Sequence, residues 1–201
     1  MYVMIRKYAG KGSLMDKLVP QVRDGLVPLL RQAPGFRRYC AFASEDGHIV
    51  SVSVFDDRNS ADAANASVRE WVGANLRDSL LEPPEVLAGE VRRDLSGQAG
   101  SGADGLYVTI RQYDGVRSVE KLVTVADEHI LPLIRQAPGL RAHYTLTSEG
   151  DQSQTIAVSL FDGREHAMRV NDQVIAMMRE RAKEVAPNPP RVTSGKVATA
   201  A

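Results

Sequence analysis

The residues best able to bind or transform a small molecule come in matched sets. Arg6 and Tyr8 return as Arg111 and Tyr113, Arg37 as Arg141, Asn65 as Asn171, and Tyr39 is answered by His143. Arginine and tyrosine present donors in fixed geometry, which suits an anion or a phenol-like hydroxyl. His143, Arg37 and Arg141 are the catalytic candidates: the imidazole as a base, the guanidinium groups as stabilisers of the anion a base creates. Arg6, Tyr8, Tyr39, Asn65, Arg111, Tyr113 and Asn171 are the substrate-binding candidates. Trp71 joins them, although Met177 takes its place in the second set and a lone Trp at helical spacing commonly packs in a core. The bland alternative is a structural seam of packed arginine stems, with both asparagines bonded to nearby backbone.

Other chemistry has little support. His48, His129, His143 and His166 are scattered, without metal-ligand spacing, so no metal is expected. Cys40 lacks a nucleophile context, and the serines lack a nucleophile elbow. Gly100-Ser-Gly102-Ala-Asp-Gly105 matches a dinucleotide fingerprint on paper, but a strand pattern follows it where a helix N-terminus is required.

These sets exist because the chain repeats itself. Tyr2-Val3-Met4-Ile5-Arg6 returns as Tyr107-Val108-Thr109-Ile110-Arg111, and Arg31-Gln32-Ala33-Pro34-Gly35 returns unchanged as Arg135-Gln136-Ala137-Pro138-Gly139. Phe55-Asp56 recurs as Phe161-Asp162, and Pro83-Pro84 as Pro189-Pro190. The boundaries expected are 1–93 for the first repeat, 94–105 for a flexible Gly/Ser linker, 106–197 for the second repeat and 198–201 for a tail.

Each repeat reads as strand, helix, strand, strand, helix, strand. The period of Leu14, Leu18, Val22, Leu26, Leu29 and Leu30 marks the first helix, with Pro28 (Pro132 in the second repeat) loosening its last turns. Gly35 and Gly139 suit left-handed helix ends, and Asp56-Asp57 offers a helix cap. The stripe Ala61, Ala64, Val68, Val72, Leu76 marks the second helix. This order predicts an α+β fold: two ferredoxin-like βαββαβ domains whose antiparallel sheets pack on each other as a pseudo-dimeric barrel. Strand alternation puts Val3, Ile5, Phe36, Cys40, Phe42, Val50, Val52 and Val54 under the helices. Tyr2, Met4, Arg6, Tyr8, Arg37, Tyr39, Ser51, Ser53 and Phe55 fall on the opposite face.

Composition narrows the class. Of 201 residues, 25 are Lys or Arg and 25 Asp or Glu, so no positive surplus points to nucleic acid. No apolar run could span a membrane, no signal peptide is read, and one cysteine fits a cytoplasmic protein.

Ala-Pro-Gly-Phe-Arg entering a strand, Ser-Glu-Asp in a hairpin and Phe-Asp-Asp-Arg-Asn-Ser-Ala opening a helix resemble the antibiotic biosynthesis monooxygenase-like family of the dimeric α+β barrel superfamily. The resemblance covers both repeats. It implies a small-molecule site and, in the enzyme reading, a cofactor-independent oxygenase acting on an aromatic, phenol-like substrate. The rival is a non-catalytic ligand-binding or assembly module. Phe55 and Phe161 stand where many members carry Trp, and Asn65 and Asn171 fall near a family His. Arg6 and Arg111 occupy the place of an Asn used by haem-degrading members, which argues against haem chemistry. No cofactor is expected. The barrel partner is supplied within the chain, and further homo-oligomerisation stays open.

Overall fold

The computed structural model describes residues 1–96 and 104–201. The chain divides into two compact units. The first holds Met1–Glu90 and Gly195–Ala201; the second holds Gly105–Ser194 and the stretch of strand that begins at Val91. The first unit runs β1 (Tyr2–Tyr8), α1 (Met15–Gln21), a π-helical turn (Val22–Leu26), α2 (Val27–Gln32), β2 (Phe36–Ala43), β3 (Ile49–Phe55), α3 (Arg58–Asn75) and the start of β4 (Glu85–Ser96). The second repeats this plan with β5 (Tyr107–Tyr113), α4 (Val119–Val125), a π-helical turn (Ala126–Ile130), α5 (Leu131–Gln136), β6 (Leu140–Thr147), β7 (Thr155–Phe161), α6 (Arg164–Arg181) and β8 (Arg191–Ala200).

In the first unit β1 lies between β3 and β4, and β2 pairs with β3, all antiparallel. The far edge of β2 is covered by the end of β8, with Cys40 opposite Ala200 and Phe42 opposite Val197. In the second unit β7 lies between β5 and β6, and β6 receives the end of β4, with Val91 opposite Leu146. The division thus falls within both long strands: β4 changes unit after Glu90 and β8 after Ser194. This corrects two boundaries: β4 continues through Asp94 and Leu95 to Ser96, where the linker was expected to have begun, and 198–201 is not a tail, because β8 extends to Ala200. Of the rest of the expected linker, 97–103 lies outside the described residues and 104–105 form a turn.

Local chemistry accounts for the elements. Pro28 has no N–H, and its ring crowds the carbonyl four residues back. The helix answers by widening just before it, so that Val27 N–H donates to the Val22 carbonyl five residues earlier. Leu131 N–H does the same with Ala126, ahead of Pro132. Gly35 and Gly139 end the helices at φ of 70° and 73°. A Cβ on Gly35 would also stand 2.6 Å from the Ser60 hydroxyl. Asp57 caps α3, its carboxylate accepting from the Ser60 amide at 2.8 Å.

One expectation is reversed. Tyr2, Met4, Tyr39, Ala41 and Phe55 form the core with Leu18, Val22, Leu26 and Leu30 of the first helical segments and Ala61, Ala64 and Val68 of α3. The mixed row of the sheet thus lies under the helices. The wholly apolar row (Val3, Ile5, Cys40, Phe42, Val50, Val52, Val54) is buried on the opposite face. The second unit follows suit, with Tyr107, Tyr113 and Phe161 packed on Leu122, Ile130, Ile134 and Val174.

Candidate functional site

Placing the mixed row beneath the helices brings the predicted polar residues of the first unit together. Arg6 pairs across strands with Ser51, and Tyr39 with Ser53. Residue 65 of α3 closes the set from above: Arg6 Nη2 donates to Asn65 Oδ1 at 2.7 Å and also to Met4 Sδ. Around these residues lies a small inner cavity of about 40 Å3, reached by Arg6, Tyr8, Tyr39, Leu18, Leu26 and Val68. An outer cleft of about 570 Å3 meets it at Arg6, Tyr8, Val68 and Val72. That size lies within the range typical of small-molecule sites.

The cleft shows residues that the sequence reading missed. Arg69 and Gly73 continue the i, i+4 row of the expected Asn65 along α3, Arg77 lies in the turn just past its end, and all four line the cleft. The opposite wall is Leu80 to Pro84 with Val86. Leu81 and Val86 are 73% and 50% exposed and are, with Met1, the exposed large apolar side chains among the described residues. A Cβ added to Gly73 would meet nothing within 4 Å, so the space in front of this lining position is free. The legible signal was a comparison between repeats: Gly73 is replaced by Arg179 and Arg69 by Ile175.

Electrostatics single out Arg6. It is 5% exposed, yet no carboxylate contributes to its environment: burial lowers its pKa, Tyr8 and Tyr39 favour its charge, and Arg69 opposes it. Burial also raises the hydroxyl pKa of Tyr8 and of Tyr39 above the usual phenol value. Both remain protonated donors at neutral pH. The inner site therefore offers donors and a cation to an oxygen anion, and no base.

The second unit places Arg111, Tyr113 and His143 on the equivalent surface. Arg111 is 1% exposed and donates to the Ser159 hydroxyl at 2.9 Å. His143 has both ring nitrogens engaged, with Ser159 Oγ at 2.9 Å and Thr145 Oγ1 at 3.0 Å. Burial first, and then Arg111, lowers its pKa to about 3. Such an imidazole is neutral and a weak base. The unfolded chain takes up a proton below about 6.5 and the folded chain does so only near 3. The stabilising contribution is thus complete above 6.5 and is lost as pH falls toward 3, at up to about 1.4 kcal/mol per pH unit. His143→Gln is expected to flatten this part of the stability–pH curve in urea titrations. An unchanged slope would refute the buried neutral imidazole.

Arg37 and Arg141 do not join either set. Alternation along β2 breaks at a bulge between Phe36 and Arg38, and along β6 between Leu140 and Ala142. Phe36 therefore shares the face of Phe55, their rings 5.9 Å apart, while Arg37 turns outward to Asp56. Arg141 reaches Asp162 at 3.6 Å. Trp71 packs on the π-helical turn, where a Cβ on Gly25 would stand 2.5 Å from its ring, and it does not line the cleft. Asn171 is buried on α6, but its Oδ1 has no hydrogen-bond partner. Among the described residues no cluster of metal-ligating side chains occurs, and no helix is long and apolar enough to cross a membrane.

No family model matches the sequence, and no curated protein matches it. Solved structures do. A putative monooxygenase from Lactobacillus acidophilus NCFM superposes with a TM-score of 0.78 at 11% identity, covering 100% of this chain and 95% of that one. A putative monooxygenase from Fusobacterium nucleatum subsp. nucleatum gives 0.79 at 9% identity over 99% and 93%. An anthrone oxidase-like protein gives 0.66 at 12% identity over 100% and 92%. The chain has the fold of these monooxygenase-like proteins, along the length of both repeats.

Proposed function

We propose that the first repeat binds a small aromatic molecule bearing an acidic hydroxyl, in a protein built as two ferredoxin-like repeats that stand in for the two subunits of a dimeric α+β barrel. The observation that carries this reading is Arg6: a buried guanidinium without a carboxylate partner, where an apolar cavity meets an open cleft. A buried charge is costly unless it is paired, so a phenolate or enolate oxygen is the natural complement. Val68, Val72 and Leu80 would receive the ring system, and Tyr8 and Tyr39 would add donors to the oxygen.

The names of the structural neighbours add an oxygenase reading. Stabilising the anion makes a substrate electron-rich toward dioxygen. Conversion of an activated CH2 with O2 into C=O and water balances without an external reductant. The residues assigned here bind and polarise. The proton leaves to solvent through the open cleft.

Gly73→Phe tests the location. Phenylalanine enters open space and has better helix propensity than glycine, so the melting curve should be unchanged. Affinity for 1-naphthol or anthrone, read by fluorescence titration, should fall at least tenfold. Equal affinity in the variant would place the ligand elsewhere. Oxygen uptake with the same compounds separates an enzyme from a binding module.

A further inference from the structure

The second repeat carries an anomaly that the ligand of the first does not explain. Arg111 is 1% exposed and donates well to one acceptor, the Ser159 hydroxyl from Nη2; Nε and Nη1 have no well-formed acceptor, although the Tyr113 hydroxyl lies close to the guanidinium. Tyr113 favours its charge, and no carboxylate does. The neighbouring His143 is neutral at ordinary pH. In the first repeat the corresponding guanidinium is bonded to Asn65 and faces a cleft. In the second, Asn171 Oδ1 is unmatched too, so that pairing is undone.

The surroundings have changed in the same direction. Met4 is replaced by Thr109, Tyr39 by His143, Ala41 by Thr145 and Ile49 by Thr155. The hydroxyls of Thr109 and Thr155 are buried without partners, and the Tyr113 hydroxyl, beside the Arg111 guanidinium, has no acceptor for its own O–H, all on the helix-covered side of the sheet that also carries Arg111. Unmatched buried polar groups at this density call for an occupant. Water could accept from the idle N–H groups, but it would leave the buried charge uncompensated, which is costly. An anion satisfies both demands. With Thr109, Arg111 and Ser159 each at 1% exposure or less, the occupant must be small, and one guanidinium balances one negative charge.

We propose that the second repeat encloses a small monovalent anion of halide size against Arg111, with the Thr109 and Tyr113 hydroxyls as further donors. The two repeats would then have divided one ancestral arginine pocket: an open ligand site in the first, a sealed anion site in the second.

Bromide is the probe, and the full-length chain is the sample. Crystals soaked in sodium bromide should show an anomalous peak within hydrogen-bonding reach of Arg111 Nε and Nη1. In solution the melting temperature should rise with bromide relative to fluoride at fixed ionic strength. Arg111→Met should abolish that difference, and Thr109→Val should raise the bromide midpoint severalfold. Arg181→Ala, on the outside of α6, should leave it intact. A map with no bromide at Arg111, or a melting temperature indifferent to anion identity, overturns the proposal. The crystallographic arm decides it even if Arg111→Met does not fold.

Discussion

Deleting Gly195–Ala201 is expected to destabilise the first unit more than any single substitution in it. This segment covers the edge of β2, where Tyr39 N–H donates to the Ala201 carbonyl at 2.8 Å and Ala201 N–H returns a bond to Tyr39 at 2.9 Å. Val197 and Thr199 are 3% and 4% exposed. The approach is close: a Cβ on Gly195 would collide with the Ala43 carbonyl oxygen. Losing one buried valine costs roughly 1.5–3 kcal/mol and each hydrogen bond about 0.5–1.5 kcal/mol net. The total, roughly 2.5–6 kcal/mol, is a large part of the 5–15 kcal/mol that holds a typical domain together. The bared β2 edge would also expose backbone groups beside Cys40 and Phe42, an invitation to aggregate. Trp71, the single tryptophan, reports on this unit, so urea unfolding followed by its fluorescence measures the loss. A midpoint equal to that of the full chain would show that the strand is dispensable. The same reasoning applies to residues 1–93 expressed alone: lacking this strand, they should aggregate or pair with a second copy.

That strand shows where the sequence was legible and where it was not. The duplication, the order of elements, the helix ends at Gly35 and Gly139 and the cap at Asp57 all rest on local chemistry, and local chemistry is written in neighbouring residues. The period of two also separated the two rows of each sheet. It did not say which row the helices cover, because both rows are buried and the more apolar one is not the one under the helices. Val3 and Ile5 look like a helix-facing pair from sequence, yet Met4 and Tyr2 meet Leu18 and Leu30. Parity failed again at the bulges before Arg38 and Ala142, since one extra residue turns its neighbours over without leaving a mark in composition. Arg37 and Arg141 were drawn into the candidate site for that reason. The cleft was illegible for a different one. One of its lining positions, Gly73, leaves the space before it free, and an absence acquires meaning only when Arg179 is set beside it.

Arg6→Leu should separate binding from stability. The guanidinium is buried without a carboxylate, so leucine removes a desolvated charge while retaining much of the stem's apolar contact. The ligand-free melting temperature should therefore hold or rise. Asn65 loses its donor, but it is only half-buried, and water can replace the bond. Binding should respond in the opposite sense. A charge-assisted hydrogen bond to an anionic oxygen is worth about 1.5–3 kcal/mol, so affinity for 1-naphthol or anthrone should fall at least tenfold. The loss should grow with pH through the ligand's own ionisation, because only the anion uses the charge. Arg6→Lys should keep part of the affinity, as a point charge without the planar fork. Arg37→Leu with Arg141→Leu is the control: both arginines face aspartates at the strand ends, so binding should be unchanged. Were Arg6 a structural anchor acting through Asn65, its loss would lower the melting temperature and leave the titration untouched. Calorimetry and a thermal melt on one preparation distinguish these outcomes, because the two roles move the two measurements in opposite directions.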